Sequence, residues 1–369
     1  MKKVVLFCLV CLTVCINYSC GLGSKAAWTG DAVADSLSNP KYATGFTVKT
    51  CDGVRLVDVG ENDHFALVTA DDAAVPDGYT KVKVPIKSTI CMTSLQLSNF
   101  TILNAHDVVK GLTGTKNLFN EDILQRVNDS RIVKIGMEGN FDTELVLAAN
   151  PDVIFVSPSK RGGYDAIVGT GITLVPHLGY EELHPLGQAE WIKFVAMFIG
   201  KEKEADKLFA EIEQRYLELK QKVAATKERP TVFSGEMHGG NWYAVGGKNH
   251  LAQIFRDAGA EYVMKDNNTG GVPIEYEKMY ATAANADYWR ILNSFPGDFS
   301  YDALKASEPR NALFKAFKDH HVIYCNMKET PYYETSPVSP DVVLADLVAI
   351  FHPELMPADY QPTYYHLLK

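Results

Sequence analysis

The sequence predicts an α/β protein of two lobes, each built on a mostly parallel sheet, joined by a long helical connector. Short β-branched runs alternate with single helices in two separate halves of the chain, the pattern of parallel sheets covered on both faces. The longest helical stretch, from about Leu186 to Thr226, falls between those halves. At 369 residues the chain also exceeds one ordinary core, so two domains are expected.

The chain begins "MKKVVLFCLVCLTVCINYSC". Two lysines ahead of about a dozen apolar residues make a signal peptide over 1–19, too short for a membrane span. Ser19-Cys20 at the end of that run resembles a bacterial lipoprotein cleavage site, with Cys20 as the lipidated residue. Residues 20–40, small, polar and without periodicity, read as the lipidated Cys and a flexible tether.

The first lobe is placed at 41–185. Alternating Val, Ile, Thr and aromatics, broken by Asp-Gly turns from "YATGFTVKTCDGVRLVDVG" to "KVKVPIKSTICM", predict antiparallel hairpins at its start. Then "RIVKIG", "DVIFVSP" and "ITLVPHL" read as strands, with "LSNFTILNAHDVV", "TELVLAAN" and "YDAIVGTG" as helices. The connector, 186–227, splits at Gly200. Its first part, "AEWIKFVAMFIG", is apolar nearly all round and so is expected to be buried. Its second part keeps an apolar stripe through Leu208, Phe209, Ile212, Tyr216 and Val223. The second lobe, 228–369, repeats the alternation and ends in "PDVVLADLVAIFHPEL", a helix with Pro340 near its start.

Composition narrows the function. A hydrophobic fraction of 46% and a charged fraction of 22% are those of a globular protein. A net charge of −9 without a basic block argues against nucleic acid as a partner. Of the seven cysteines, Cys51, Cys91 and Cys325 lie beyond Cys20. Export permits a Cys51–Cys91 disulfide, and three buried thiols fit equally well. These three have no C-x-x-C spacing, and neither His177 with His184 nor His320-His321 has a common metal-ligand spacing, so no metal site is assigned. The chain lacks G-x-S-x-G, P-loop, H-E-x-x-H and dinucleotide fingerprints, so no enzyme activity and no cofactor are assigned. A secreted hydrolase is the alternative from a different class.

One small unit occurs twice. "FDTELVLAANPDVIFVSP" (141–158) and "IEYEKMYATAANADYWRIL" (274–292) each run from a Glu near a helix start, through an Ala-rich helix and an Asn-x-Asp turn, into a strand. Glu144 precedes Asp152 by eight residues, and Glu277 precedes Asp287 by ten. By themselves Glu144 and Glu277 read as carboxylates favoured at helix starts by the macrodipole.

Together with "RIVKIGMEGNFDTELVLAANPDVIFVSP", "GITLVPHLGYEELHPLGQAEWIKFVAMFIGKEKEADKLFAEIEQRY" and "NWYAVGGKNHLAQIFRDAGAEYV", this unit resembles the solute-binding lipoproteins of ABC importers for iron-siderophores, haem and cobalamin. The similarity runs from about Tyr42 to Leu368. It implies two Rossmann-like lobes with a ligand cleft between them, and a monomer on the periplasmic side of a bacterial envelope, held to the membrane by its lipid. The implied ligand is a ferric chelate of siderophore type, with cobalamin or haem as alternatives. The implied partner is the importer's permease, docked through Glu144 on one lobe and Glu277 on the other, or Glu275 in place of Glu277. Arg–carboxylate contacts at two separated points would fix orientation as well as attraction.

Ligands of open α/β sheets bind beyond the C-terminal ends of the strands. The loops expected there carry Lys160, Arg161, Tyr180, His238, Trp242, Tyr332 and Tyr333. Rings with a few cations suit a large, partly flat, anionic ligand. Trp242 and Tyr332, beside Gly or Pro turns, are expected as ring anchors, with Lys160 or Arg161 of the first lobe facing the anionic group.

Overall fold

The computed structural model describes residues 33–34 and 39–369, except 52, 138–139 and 158–163. The expected signal peptide, Cys20 and most of the expected tether lie outside the described residues, as do Lys160 and Arg161.

The chain opens with a five-stranded sheet of β1 (Val33–Ala34), β2 (Phe46–Cys51), β3 (Val54–Val59), β4 (Asp63–Val68) and β5 (Thr80–Lys83), in that order. Its pairs are antiparallel as expected, except β4–β5, which is parallel. Two buried carboxylates staple the start of this region to the connector. Glu190 accepts the backbone N–H groups of Lys41, Tyr42 and Ala43. Glu182 accepts those of Thr44 and Gly45 and the indole N–H of Trp191.

The first parallel sheet comprises β6 (Thr89–Cys91), β7 (Val109–Leu112), β8 (Val133–Lys134), β9 (Val153–Val156) and β10 (Thr173–Pro176), in the order β10-β9-β6-β7-β8. Helix α1 (Ser94–Ile102) follows β6, started by a capping box of Thr93 and Gln96. Helix α2 (Thr143–Ala149) precedes β9, capped by Asp142. The connector is α3 (Pro185–Ile199) and α4 (Glu202–Ala224), divided at Gly200, whose φ of 70° is left-handed. As its composition implies, α3 is buried on nearly every face.

The second lobe's parallel strands are β11 (Thr231–Ser234), β12 (Glu261–Tyr262), β13 (Tyr288–Asn293) and β14 (Val322–Asn326), with β15 (His366–Leu367) antiparallel at the edge, in the order β12-β11-β13-β14-β15. Its helices include α5 (His250–Asp257), α6 (Tyr276–Ala283), the short α7 (Tyr332–Thr335) and α8 (Pro340–Phe351). One continuous apolar core joins β2, α1, α3, α4, α5 and α8, so the lobes share buried surface through the connector. Cys51, Cys91 and Cys325 are buried, and no disulfide joins Cys51 to Cys91. Among the described residues no helix is long and apolar enough to cross a membrane.

The repeated unit has a structural explanation. Asp152 accepts the N–H groups of Lys87 and Ser88 at 2.6 and 3.0 Å, immediately before β6. Asp287 accepts the N–H and hydroxyl of Thr231, the first residue of β11, at 2.8 and 2.7 Å. In each lobe the carboxylate after the Ala-rich helix pins the start of the adjacent parallel strand.

Candidate ligand cleft and docking face

A cavity of about 580 Å³ opens beyond the C-terminal ends of β6, β7 and β8, within the usual size of small-molecule sites. Met92, Thr93, Thr113, Lys116, Phe141 and Tyr164 line it. Phe141 and Tyr164 stack with centroids 5.9 Å apart and planes within 6°, giving the wall a flat aromatic face. The hydroxyl of Tyr164 bonds the backbone of Ser157 at the end of β9, which fixes the ring.

The second lobe reaches this region through α7. Glu334, buried, accepts the N–H groups of Phe119 and Asn120 at 2.6 and 3.1 Å. The loop carrying Thr113, Lys116 and Leu118 is therefore tied at its far end to the opposite lobe. Beside Glu334, Tyr332 is 8% exposed and Tyr333 50%. Tyr332 packs edge-on against Tyr333, Tyr364 and Tyr365, and lies over the guanidinium of Arg290 at 5.9 Å. Arg290, from the middle of β13, is buried and donates from Nε and Nη2 to the Tyr365 hydroxyl, at 3.0 Å from Nε. Asp346 of α8 holds that C-terminal segment by accepting the N–H groups of Thr363, Tyr364 and Tyr365.

The expected ring anchors separate. Tyr332 stands at the lobe junction, though as a mostly covered ring instead of an open cleft edge. Trp242 is not in the cleft. It is fully buried, its indole N–H donates to the Ser234 carbonyl at 2.9 Å, and its ring packs against Phe233, Trp289 and Phe314. The strand 241–245 alternates exposed Asn241, buried Trp242, exposed Tyr243 and buried Ala244, which turns the indole into the core. It crosses so close to Gly235, whose φ is 101°, that a Cβ there would lie 1.8 Å from the Tyr243 carbonyl oxygen. That alternation was the available signal; the neighbouring glycines suggested a loop edge instead.

His238 sits exposed at a hairpin end near Tyr243, and Tyr180 lies in a short turn before α3 with its hydroxyl on Glu181; neither lines the cavity. Sequence reasoning missed Lys116, Phe141, Glu334 and Arg290. The Gly-Thr-rich "TGTKN" after β7 is a legible sign of a loop at a strand end. Arg290 also left a sign, as a lone cation within an otherwise apolar strand of a two-sided sheet.

Glu144 and Glu277 are both exposed in the first turns of α2 and α6. Glu144 is accompanied by exposed Leu145 and Leu147 and forms no ion pair among the described residues. Glu277 pairs with Arg310 at 3.1 Å. Arg310 also pairs with Glu308 at 2.9 Å and lies over the Tyr276 ring at 3.9 Å. Glu275, the residue before α6, is exposed as well.

Two parallel-sheet lobes, a buried connecting helix and a cavity at the strand ends define a solute-binding protein of the two-lobed α/β class. Residues 93–328 match the family described as "Periplasmic binding protein", and the chain belongs to that family of solute-binding proteins, which bind small molecules and work with ABC importer permeases. It is 30% identical over 292 residues to an uncharacterized lipoprotein, MJ0878, of Methanocaldococcus jannaschii, covering 75% of this chain and 68% of the relative. Its fold is similar to a periplasmic heme binding protein from Pseudomonas aeruginosa, with TM-score 0.61, 17% identity and coverage of 77% and 98% of the two chains. It is also similar to the periplasmic vitamin B12 binding protein BtuF of Vibrio cholerae, with TM-score 0.54, 11% identity and coverage of 74% and 99%.

Proposed function

We propose that this protein captures a ferric chelate of siderophore type between its lobes and delivers it to an ABC importer. The observation that carries the reading is the aromatic-walled cavity at the strand ends, whose far loop is held by Glu334 of the opposite lobe. Phe141 and Tyr164 offer a flat apolar face, while Lys116 and Lys134 offer charge. Haem and cobalamin are the alternative ligands, supported by what the two similar structures are named as binding. Fluorescence titration with a ferric catecholate, haem and cobalamin tests the reading. Saturable one-to-one binding of one of them without turnover is expected; chemical conversion of a bound compound would favour an enzyme instead.

Glu144 and Glu277 are assigned as the carboxylates that meet the permease, with Glu144 the more available because Glu277 must first release Arg310. Cys20 is assigned as the lipid attachment point, a reading supported by the relative named as a lipoprotein. Cys20→Ala should move the protein from the membrane to the soluble fraction with ligand affinity unchanged. Continued membrane fractionation would contradict the anchor.

A further inference from the structure

Four cations stand at separate points in the second half of the chain: Arg229 in "TKERP", Lys248 in "GGKNH", Arg256 in "IFRDAG" and Lys265 in "VMKDNN". The fold brings them to one place. A cavity of about 660 Å³ beside the edge strand β12 is lined by all four, together with the carboxylates of Glu261 and Asp266. It shares no lining residue with the cavity at the ends of β6, β7 and β8. In a chain of net charge −9, this concavity carries an excess of positive charge.

Its carboxylates are already engaged. Glu261 pairs with Lys265 at 2.8 Å. Asp266 accepts the backbone N–H and the side-chain amide of Asn268, both at 2.7 Å. The arginines are held by neutral acceptors instead. Arg256, in the last turn of α5, donates from Nη1 to the Gly247 carbonyl at 3.1 Å and from Nη2 to the side-chain oxygen of Gln253 at 3.0 Å. Arg229 donates from Nη1 to the Thr226 hydroxyl at 3.3 Å and to the Val223 carbonyl at 3.5 Å. Among the described residues neither guanidinium forms an ion pair, nor does the Lys248 ammonium, and all three residues are exposed. A neutral acceptor fixes the direction of a guanidinium without neutralising it, so part of the ordering cost of binding an anion is met in advance. Three uncompensated cations from three segments suit a tetrahedral oxyanion with more than one charge, which offers each of them an oxygen.

We infer that this cavity binds a doubly charged phosphate group, carried by a free phosphate compound or by a lipid headgroup, at a site separate from the ligand cleft. The site does not depend on which solute the cleft takes.

The test uses the whole chain as wild type, as Arg256→Gln, as Arg229→Gln with Arg256→Gln, and as a control, Lys203→Gln with Lys207→Gln, which removes two exposed lysines of α4. Each is titrated calorimetrically, at constant ionic strength, with inorganic pyrophosphate and with dihexanoyl phosphatidic acid below its micelle concentration. Wild type and the control should bind one equivalent of at least one probe. Arg256→Gln should weaken that binding at least about tenfold, and the double arginine variant should lose it. Binding of pyrophosphate supports the site as a receptor of free phosphates; binding of the phosphatidic acid alone supports it as a receptor of headgroups. If wild type binds neither probe, the inference is overturned, and that arm needs no variant to fold. It is overturned equally if the double arginine variant binds as tightly as wild type, or if the lysine control loses as much, which would show diffuse attraction to surface charge.

Discussion

The two copies of the helix–turn–strand unit agree in one carboxylate and differ in the other. Asp152 and Asp287 do the same work, each pinning the first residues of the neighbouring parallel strand. Glu144 and Glu277 occupy the same first-turn position but not the same surroundings, since Glu277 is tied to Arg310 and Glu144 stands beside exposed leucines. The difference continues behind them. The first lobe leaves a cavity at its strand ends, whereas in the second Phe233, Trp242, Trp289 and Phe314 pack into one buried cluster. What repeats is what holds a strand in register; what diverges is what faces ligand or partner.

Docking offers the largest separation of the two roles. Reversing Glu144 and Glu277 together to Lys should abolish uptake by the host importer while ligand affinity stays, because each desolvated charge pair lost costs roughly 2–5 kcal/mol. A matching fall in ligand affinity would move these carboxylates into the cleft or the fold. The aromatic clusters differ next. Trp242→Ala should cost about 3–5 kcal/mol of stability, as removal of a buried ring does, read as a lower midpoint in chemical unfolding. Tyr164→Ala should cost about 1 kcal/mol in stability and about 2 kcal/mol in ligand binding. Equal behaviour of the two variants would erase the contrast between a core ring and a cavity-wall ring.

The strand pins come third. Asp152→Asn and Asp287→Asn should each lose about 1.5–3 kcal/mol, the worth of hydrogen bonds to a charged group. Burial would raise the pKa of Asp287, but its bonds to Lys315 and Thr231 outweigh that and hold it below the ordinary range. Its contribution is therefore present above the unfolded-state pKa and lost as pH falls through the depressed folded value. Asp287→Asn should flatten the acid limb of the stability curve accordingly. The smallest effect is at the exposed Glu277–Arg310 pair, where Arg310→Met should barely change stability because solvent screens the pair. It should also improve permease docking by freeing Glu277.

Periodicity made much of this legible. The division of the connector at Gly200, the all-round burial of α3 and the alternation of strands with helices follow from side-chain spacing and one left-handed glycine. Trp242 differs from expectation because the two-residue alternation of its own strand, and not the neighbouring glycines, decides where its ring points. Glu334 reaches Phe119 of the other lobe across 215 residues, and Arg290 meets Tyr365 75 residues on, and no local pattern encodes which distant backbone or ring a buried charge will meet.

We propose that one chelate sits between the lobes. Native mass spectrometry of the protein purified from its own host reads that directly. One small molecule of chelate mass per chain is predicted, carried by wild type and largely lost from Tyr164→Ala. A chain that arrives empty, and stays empty when offered ferric catecholate, haem and cobalamin in turn, would contradict it.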